Sequence, residues 1–178
     1  VVILTLGGLM PLGTSSAGAV QGTPENPNPN DTHCLAEFDL TLSPGISMTP
    51  ASGTATSHGE TGTNTCDGPI NGKQVTGVGS RGEDGRYGID GPNNCTDLDG
   101  VSEWVFSFTM PTTDGPQKVM GTFVATYGPL QSGGLYGGTF TGDRMYGKFT
   151  ATPIEGDCVT TPITKVRLHC DEWVVNET

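Results

Sequence analysis

His58 and Glu60 are the residues of this chain whose types and spacing come nearest to acid–base chemistry. Two positions apart on an extended segment they share one face, which sets an imidazole that titrates near neutrality beside a carboxylate. Their setting, TATSHGETGTNTC, is Thr-rich, and a pair of polar side chains facing water is the plainer reading. His33 sits in a polar leader, and His169 falls on the outward side of the last strand with Lys165 and Arg167. No G-x-S-x-G elbow occurs. Gly77-Val78-Gly79-Ser80-Arg81-Gly82 matches G-x-G-x-x-G, but it leads into a turn and a strand, with no helix N-terminus to hold a pyrophosphate.

Carboxylates crowd two loops: Glu83, Asp84, Asp90, Asp97, Asp99 and Glu103. Asp97 and Asp99, in DLDGVSE, offer the oxygen ligands that calcium takes, and they are the metal candidates. The full calcium-loop spacing and its flanking helices are missing, so solvated turn carboxylates are the simpler account. The five cysteines include no C-x-x-C pair and no cluster with histidine, which gives zinc no foothold. No cofactor is expected. In an oxidising compartment most of the cysteines should be bonded, and the odd count leaves one free or bound to another chain. Cys66 ends one strand and Cys95 lies in the loop after the next hairpin, so a small shift in register pairs them. Cys34 has two partners open to it, because a closed barrel makes the first and last strands neighbours and brings Cys34 towards Cys170 as well as leaving it Cys158.

The aromatic set Trp104, Phe106, Phe108, Phe123, Tyr136, Phe140 and Phe149 is the candidate lining of a ligand cavity, or else simply the filling of a core.

The elements that must position these residues are strands. In LYGGTFTGDRMYGKFTAT, Tyr136, Gly138 and Phe140 share one face, Gly142-Asp143 turns the chain, and Met145, Gly147, Phe149 and Ala151 share one face of the return strand. The same alternation marks Cys34 to Leu42, Glu103 to Met110, Lys118 to Tyr127, and Thr160 to Leu168 or beyond. Thr54 to Cys66 reads as one strand, and Lys73 to Ser80 with Arg86 to Asp90 as a hairpin turning at Gly82-Glu83-Asp84-Gly85. Ser43-Pro44-Gly45 should break the first strand, with Ile46 and Met48 tucked beneath the sheet, and Pro153 should end the return strand. The chain has 178 residues, 28 Gly, 13 Pro and only 33% hydrophobic residues, but those hydrophobics alternate, which separates a β-rich domain from a disordered chain. About eight short-linked strands close naturally into an antiparallel up-and-down β-barrel, and the alternative is a two-sheet β-sandwich.

Residues 1–19 read as a signal peptide: an apolar run followed by the A-x-A signal Ala17-Gly18-Ala19, leaving Val20 as the mature start and no stable membrane anchor. Residues 20–33 read as a flexible leader and 34–178 as the barrel. A formal net charge of −11 excludes a nucleic-acid surface.

The pieces CLAEFDLTLSPGI, HGETGTNTCDGPINGKQVTG, FTMPTTDGPQK and GGTFTGDRMYGKFTATPIEGDCVTTPITK resemble a group of small secreted actinobacterial proteins similar to the allene oxide cyclase barrel. The resemblance covers roughly Cys34 to Lys165 and implies the barrel, not an activity. It also favours a Cys34–Cys158 bridge beside Cys66–Cys95, with Cys170 free or intermolecular, since Cys170 lies outside the matching motifs.

These features point to a secreted, non-catalytic binding or interaction module, taking a small apolar ligand or a protein partner. One alternative is a cyclase or isomerase working inside the barrel on a small apolar substrate. Another is an extracellular assembly subunit that joins copies of itself through the N-terminal segment. Hydrolysis is not expected, because the inward faces read as apolar and the acids as turn residues or outward-facing.

Overall fold

The computed structural model describes residues 21–58, 62–129 and 136–176. Among them there is no helix. The strands are β1 (Thr32–Ile46), β2 (Gly53–Thr56), β3 (Gly62–Asp67), β4 (Pro69–Ile70), β5 (Lys73–Gln74), β6 (Gly79–Tyr87), β7 (Gly100–Met110), β8 (Gln117–Pro129), β9 (Tyr136–Gly142), β10 (Met145–Glu155) and β11 (Ile163–Val174).

Consecutive long strands pair antiparallel from β6 round to β11, and β11 pairs with β1, from Thr32 opposite Val174 to Ile46 opposite Ile163. The result is a closed eight-stranded antiparallel barrel, so the sandwich alternative falls. The sheet has one strand more than the ring needs, because β2 and β3 both bridge β1 and β6. β3 lies against His33–Phe38, and β2 lies further along against Thr41–Ser43. Closure removes the exposed edges that an open sheet would have to protect.

The alternation predicted for β7, β8 and the β9–β10 hairpin is present, with Phe106, Phe108, Met110, Val119, Phe123, Ala125 and Phe140 buried. Four boundaries differ. β1 runs through Pro44 and Gly45 rather than breaking there; Ile46 is buried, but Met48 is exposed. The Thr-rich stretch is two strands, not one. Residues 82–85 are not a turn but the middle of β6, whose inward face carries Arg81 and Glu83. β10 continues past Pro153 to Glu155.

One end of the barrel is plugged by Ile70, fully buried, from the small β4–β5 hairpin. The segment 21–31, expected to be a flexible leader, is seated on the wall beside this end. Gln21 donates to the Gly142 carbonyl at 2.7 Å, the Asn28 N–H donates to Tyr146 Oη at 2.9 Å, and Tyr146 Oη donates to Asp31 at 2.8 Å. Tyr146, on the strand face opposite Met145, is thereby fully buried against Trp173. The 1–19 segment, with its Ala17-Gly18-Ala19 processing site, lies outside the described residues.

Candidate functional site

The disulfides join different partners from those expected. Cys34 is bonded to Cys66 and Cys95 to Cys158, so both the Cys66–Cys95 and the Cys34–Cys158 pairings are corrected. Register explains the first bond: Cys34 on β1 stands directly opposite Cys66 on β3, with Cα atoms 4.1 Å apart. The second ties the loop after β6 to the β10–β11 loop at the end of the barrel opposite Ile70. There the Cys95 N–H also donates to the Ser47 carbonyl at 2.9 Å. Cys170 is free and buried, and burial pushes its thiol well above the ordinary value.

The interior is not purely apolar. Arg81, Glu83 and Glu172 are buried together, with side chains no more than 1% exposed. Arg81 Nε donates to Glu83 at 2.7 Å, its Nη2 contacts the same carboxylate, and its Nη1 donates to both Glu172 oxygens at 2.6 Å. The guanidinium also lies over the Phe38 ring, 4.9 Å from its centroid. Burial acts to lower the Arg81 pKa, but Glu172 and Glu83 outweigh it and hold the guanidinium charged. Burial raises the Glu83 pKa, and the attraction and hydrogen bonds of Arg81 act against that rise. The expectation that acids stay in turns or face outward fails here, because a charged side chain can face inward when its partner does too.

What remains of the interior is small. One cavity of about 40 Å³ lies near the tied end, lined by Leu98, Trp104, Tyr127, Tyr136, Phe149 and Leu168 among others. A second, of about 20 Å³, lies deeper, lined by Arg81, Trp104, Phe123, Phe140, Phe149 and Cys170. Trp104, Phe123, Tyr136, Phe140 and Phe149 border these small spaces and pack in or against the core. Phe106 and Phe108 line neither; they are 1% exposed core residues. At the tied end Tyr127 Oη donates to Asn93 and accepts the Gly88 N–H, and burial pushes its pKa up to about 12.

The large concavity is outside. A saddle of about 900 Å³ crosses the outer wall of β2, β6, β7, β8 and β9. Its lining includes Ala55, Gly85, Trp104 and Gly142, with Val105 and Val124 standing out from it and Asp84, Arg86, Glu103 and Asp143 around it. Trp104 borders the saddle and both cavities, so its indole is the partition between outside and inside. It covers Gly85, where a β-carbon would overlap the indole ring.

Of the acid–base pair expected from sequence, His58 is described. Glu60 lies outside the described residues. His58 meets Asp84 at 2.7 Å, with both side chains more than half exposed, and Thr56 donates to the same carboxylate. His33 meets Asp171 and His169 meets Glu37 on the far wall, β1 and β11. Asp97 closes a turn with Asn94, and the Asp99 carbonyl accepts from Asn93. Among the described residues no three His, Cys, Asp or Glu gather to hold a metal ion. Sequence reasoning missed the Arg81–Glu83–Glu172 cluster and the saddle. A signal for the first was present in the i, i+2 spacing of Arg81 and Glu83.

Fold and surface together define a closed, disulfide-tied antiparallel barrel with a filled, ion-paired interior and a concave apolar outer wall. Comparison with protein-family models, with curated proteins and with solved structures gave no match.

Proposed function

We propose that this protein is a secreted, non-catalytic interaction module that meets its partner on the outer saddle. The observation that carries this reading is the contrast of volumes: about 900 Å³ outside against about 40 and 20 Å³ inside. Small-molecule sites span roughly 300–1,000 Å³. The interior spaces hold a few waters at most. The two disulfides fit an oxidising compartment, and the A-x-A signal supplies a route to it.

The experiment is photo-crosslinking on the producing cells, with a benzophenone side chain placed at Val105 or, on the far wall, at Leu35. Both positions are exposed. Adducts from position 105 and not from position 35 are expected; equal yields from both would remove the saddle from consideration.

A second reading, an isomerase or cyclase acting inside the barrel, is favoured by one observation. Glu83 is a fully buried carboxyl whose pKa burial raises, the kind of perturbed group acid–base catalysis uses. It requires the interior to open. Native mass spectrometry of the purified protein separates the readings, since a stoichiometric small-molecule adduct would favour the interior.

A further inference from the structure

We infer that the saddle's occupant is a cationic protein segment, with an apolar side chain seated between Val105 and Val124 and lysine or arginine side chains on either side. This rests on the interaction-module reading and names the chemistry of the partner.

Two features of the outer wall carry it. The first is an apolar centre. Val105, Met120 and Val124 are 61%, 56% and 48% exposed. Val105 lies opposite Thr122, with Ser107–Met120 and Glu103–Val124 as the flanking pairs, so the three apolar side chains are diagonal neighbours on one face. The second feature is the charge around that centre. Asp84, Glu103 and Asp143 stand around it; Glu103 is met by Arg86 at 2.8 Å and Asp84 by His58 at 2.7 Å, which leaves Asp143 as the carboxylate with no base paired to it among the described residues. The far wall differs: its acids Glu37, Asp39 and Asp171 are matched by His169, Arg167 and His33. Counted alike, the wall with the apolar centre carries one carboxylate more than it has bases, and the far wall none.

The rest of the chain narrows the choice of occupant. A second copy would bring another −11 of charge to the contact. Nucleic acid and anionic bilayers are repelled in the same way. An uncharged occupant would leave Asp143 without a cationic counterpart. A cationic segment satisfies both features, and its attraction to the whole chain adds a salt-dependent gain in association rate.

The probes are three synthetic peptides, Arg-Leu-Arg-Leu-Arg, Ser-Leu-Ser-Leu-Ser and Glu-Leu-Glu-Leu-Glu, each capped at both ends. Binding to the processed protein is measured by calorimetry at low and at physiological salt. The arginine peptide is expected to bind about tenfold or more tighter than the serine peptide, the glutamate peptide not at all, and added salt should weaken binding. The deciding variant is Val105→Asp, which makes the protein more negative while spoiling the apolar centre. A seated ligand loses about tenfold in affinity, whereas diffuse attraction to an acidic protein leaves affinity unchanged or improved. Leu35→Asp adds the same charge on the far wall and should change affinity by less than about twofold. Val124→Thr keeps the β-branch and supplies a milder second loss, should Val105→Asp fold poorly.

Unchanged or tighter binding by Val105→Asp overturns the inference, as does equal binding of the serine peptide. If none of the peptides binds while crosslinks still form from position 105, the partner class is wrong and the interaction-module reading stands. If the crosslinks fail as well, both fall.

Discussion

Arg81 and Glu172 meet inside the barrel at 2.6 Å, although their strands are not neighbours: β1 and the position shared by β2 and β3 separate β6 from β11. The contact is a tie across the interior. It explains how a segment as polar as GSRGEDGRY becomes the central strand β6, because the cation on its inward face is received by carboxylates on the same strand and across the barrel. Burying two carboxylates and one guanidinium carries a desolvation cost that their mutual attraction and hydrogen bonds must offset.

Removing one member should therefore be harmful. Arg81→Met leaves two buried carboxylates without their cation and should cost about 3–5 kcal/mol in urea unfolding. The triple variant Arg81→Met, Glu83→Leu, Glu172→Leu should recover much of that loss. A single variant of wild-type stability would show that the cluster is not desolvated in solution.

The pH dependence has a definite sign. Glu83 has a folded pKa raised above its unfolded value, so its contribution is fully present below the ordinary carboxylate range and is lost as pH rises through the raised value. Asp39 works in the opposite direction. The hydrogen bond from Arg167 lowers it, so its contribution is present above the unfolded value and is lost as pH falls through the lowered one. Glu83→Gln should flatten the decline that sets in as pH rises above the ordinary carboxylate range and leave the decline at low pH intact. A variant curve parallel to wild type throughout would exclude Glu83 as its source.

Non-reducing peptide maps should join Cys34 to Cys66 and Cys95 to Cys158. A thiol reagent should find Cys170 only after unfolding, because its thiol is buried and held protonated. Cys95→Ser with Cys158→Ser should lower stability by about 2–4 kcal/mol. Rapid labelling of a thiol in the native protein would contradict the pairing.

The parts of the fold legible in the sequence were those with a half-buried period of two. Trp104 to Met110 and the Tyr136–Ala151 hairpin announce their inward faces through alternation alone. β6 was not legible, since three glycines and four charges in nine residues carry the local signature of a turn, and only tertiary pairing overrides it. The disulfides depended on which strand β1 pairs with beyond β11, a long-range fact with no local signal. The inward direction of the aromatic residues was legible from alternation, but whether they leave a chamber or fill the core depends on packing across the barrel, which no local pattern carries. The saddle escaped because outward-facing Val105 and Val124 look incidental until β7 and β8 are set side by side.

Trp104 offers the sharpest test of the relation between outside and inside. Its indole stacks on Phe123, with centroids 5.9 Å apart and planes 16° apart, and its Nε1 donates to Ser102 Oγ at 2.7 Å. It also spans the saddle and both cavities. Trp104→Ala should join these spaces into one chamber and cost about 2–4 kcal/mol, at or below the range for a fully buried aromatic because the ring is partly exposed. The hole has the shape of the missing ring and an apolar lining, so free indole should enter it and raise the melting temperature of the variant without affecting wild type. Trp104→Phe should lose less stability and respond less. Thermal melts with and without indole supply the readout. A Trp104→Ala protein that melts like wild type, or ignores indole, would mean that the wall closes over the gap and that the side chain is not what divides the saddle from the interior.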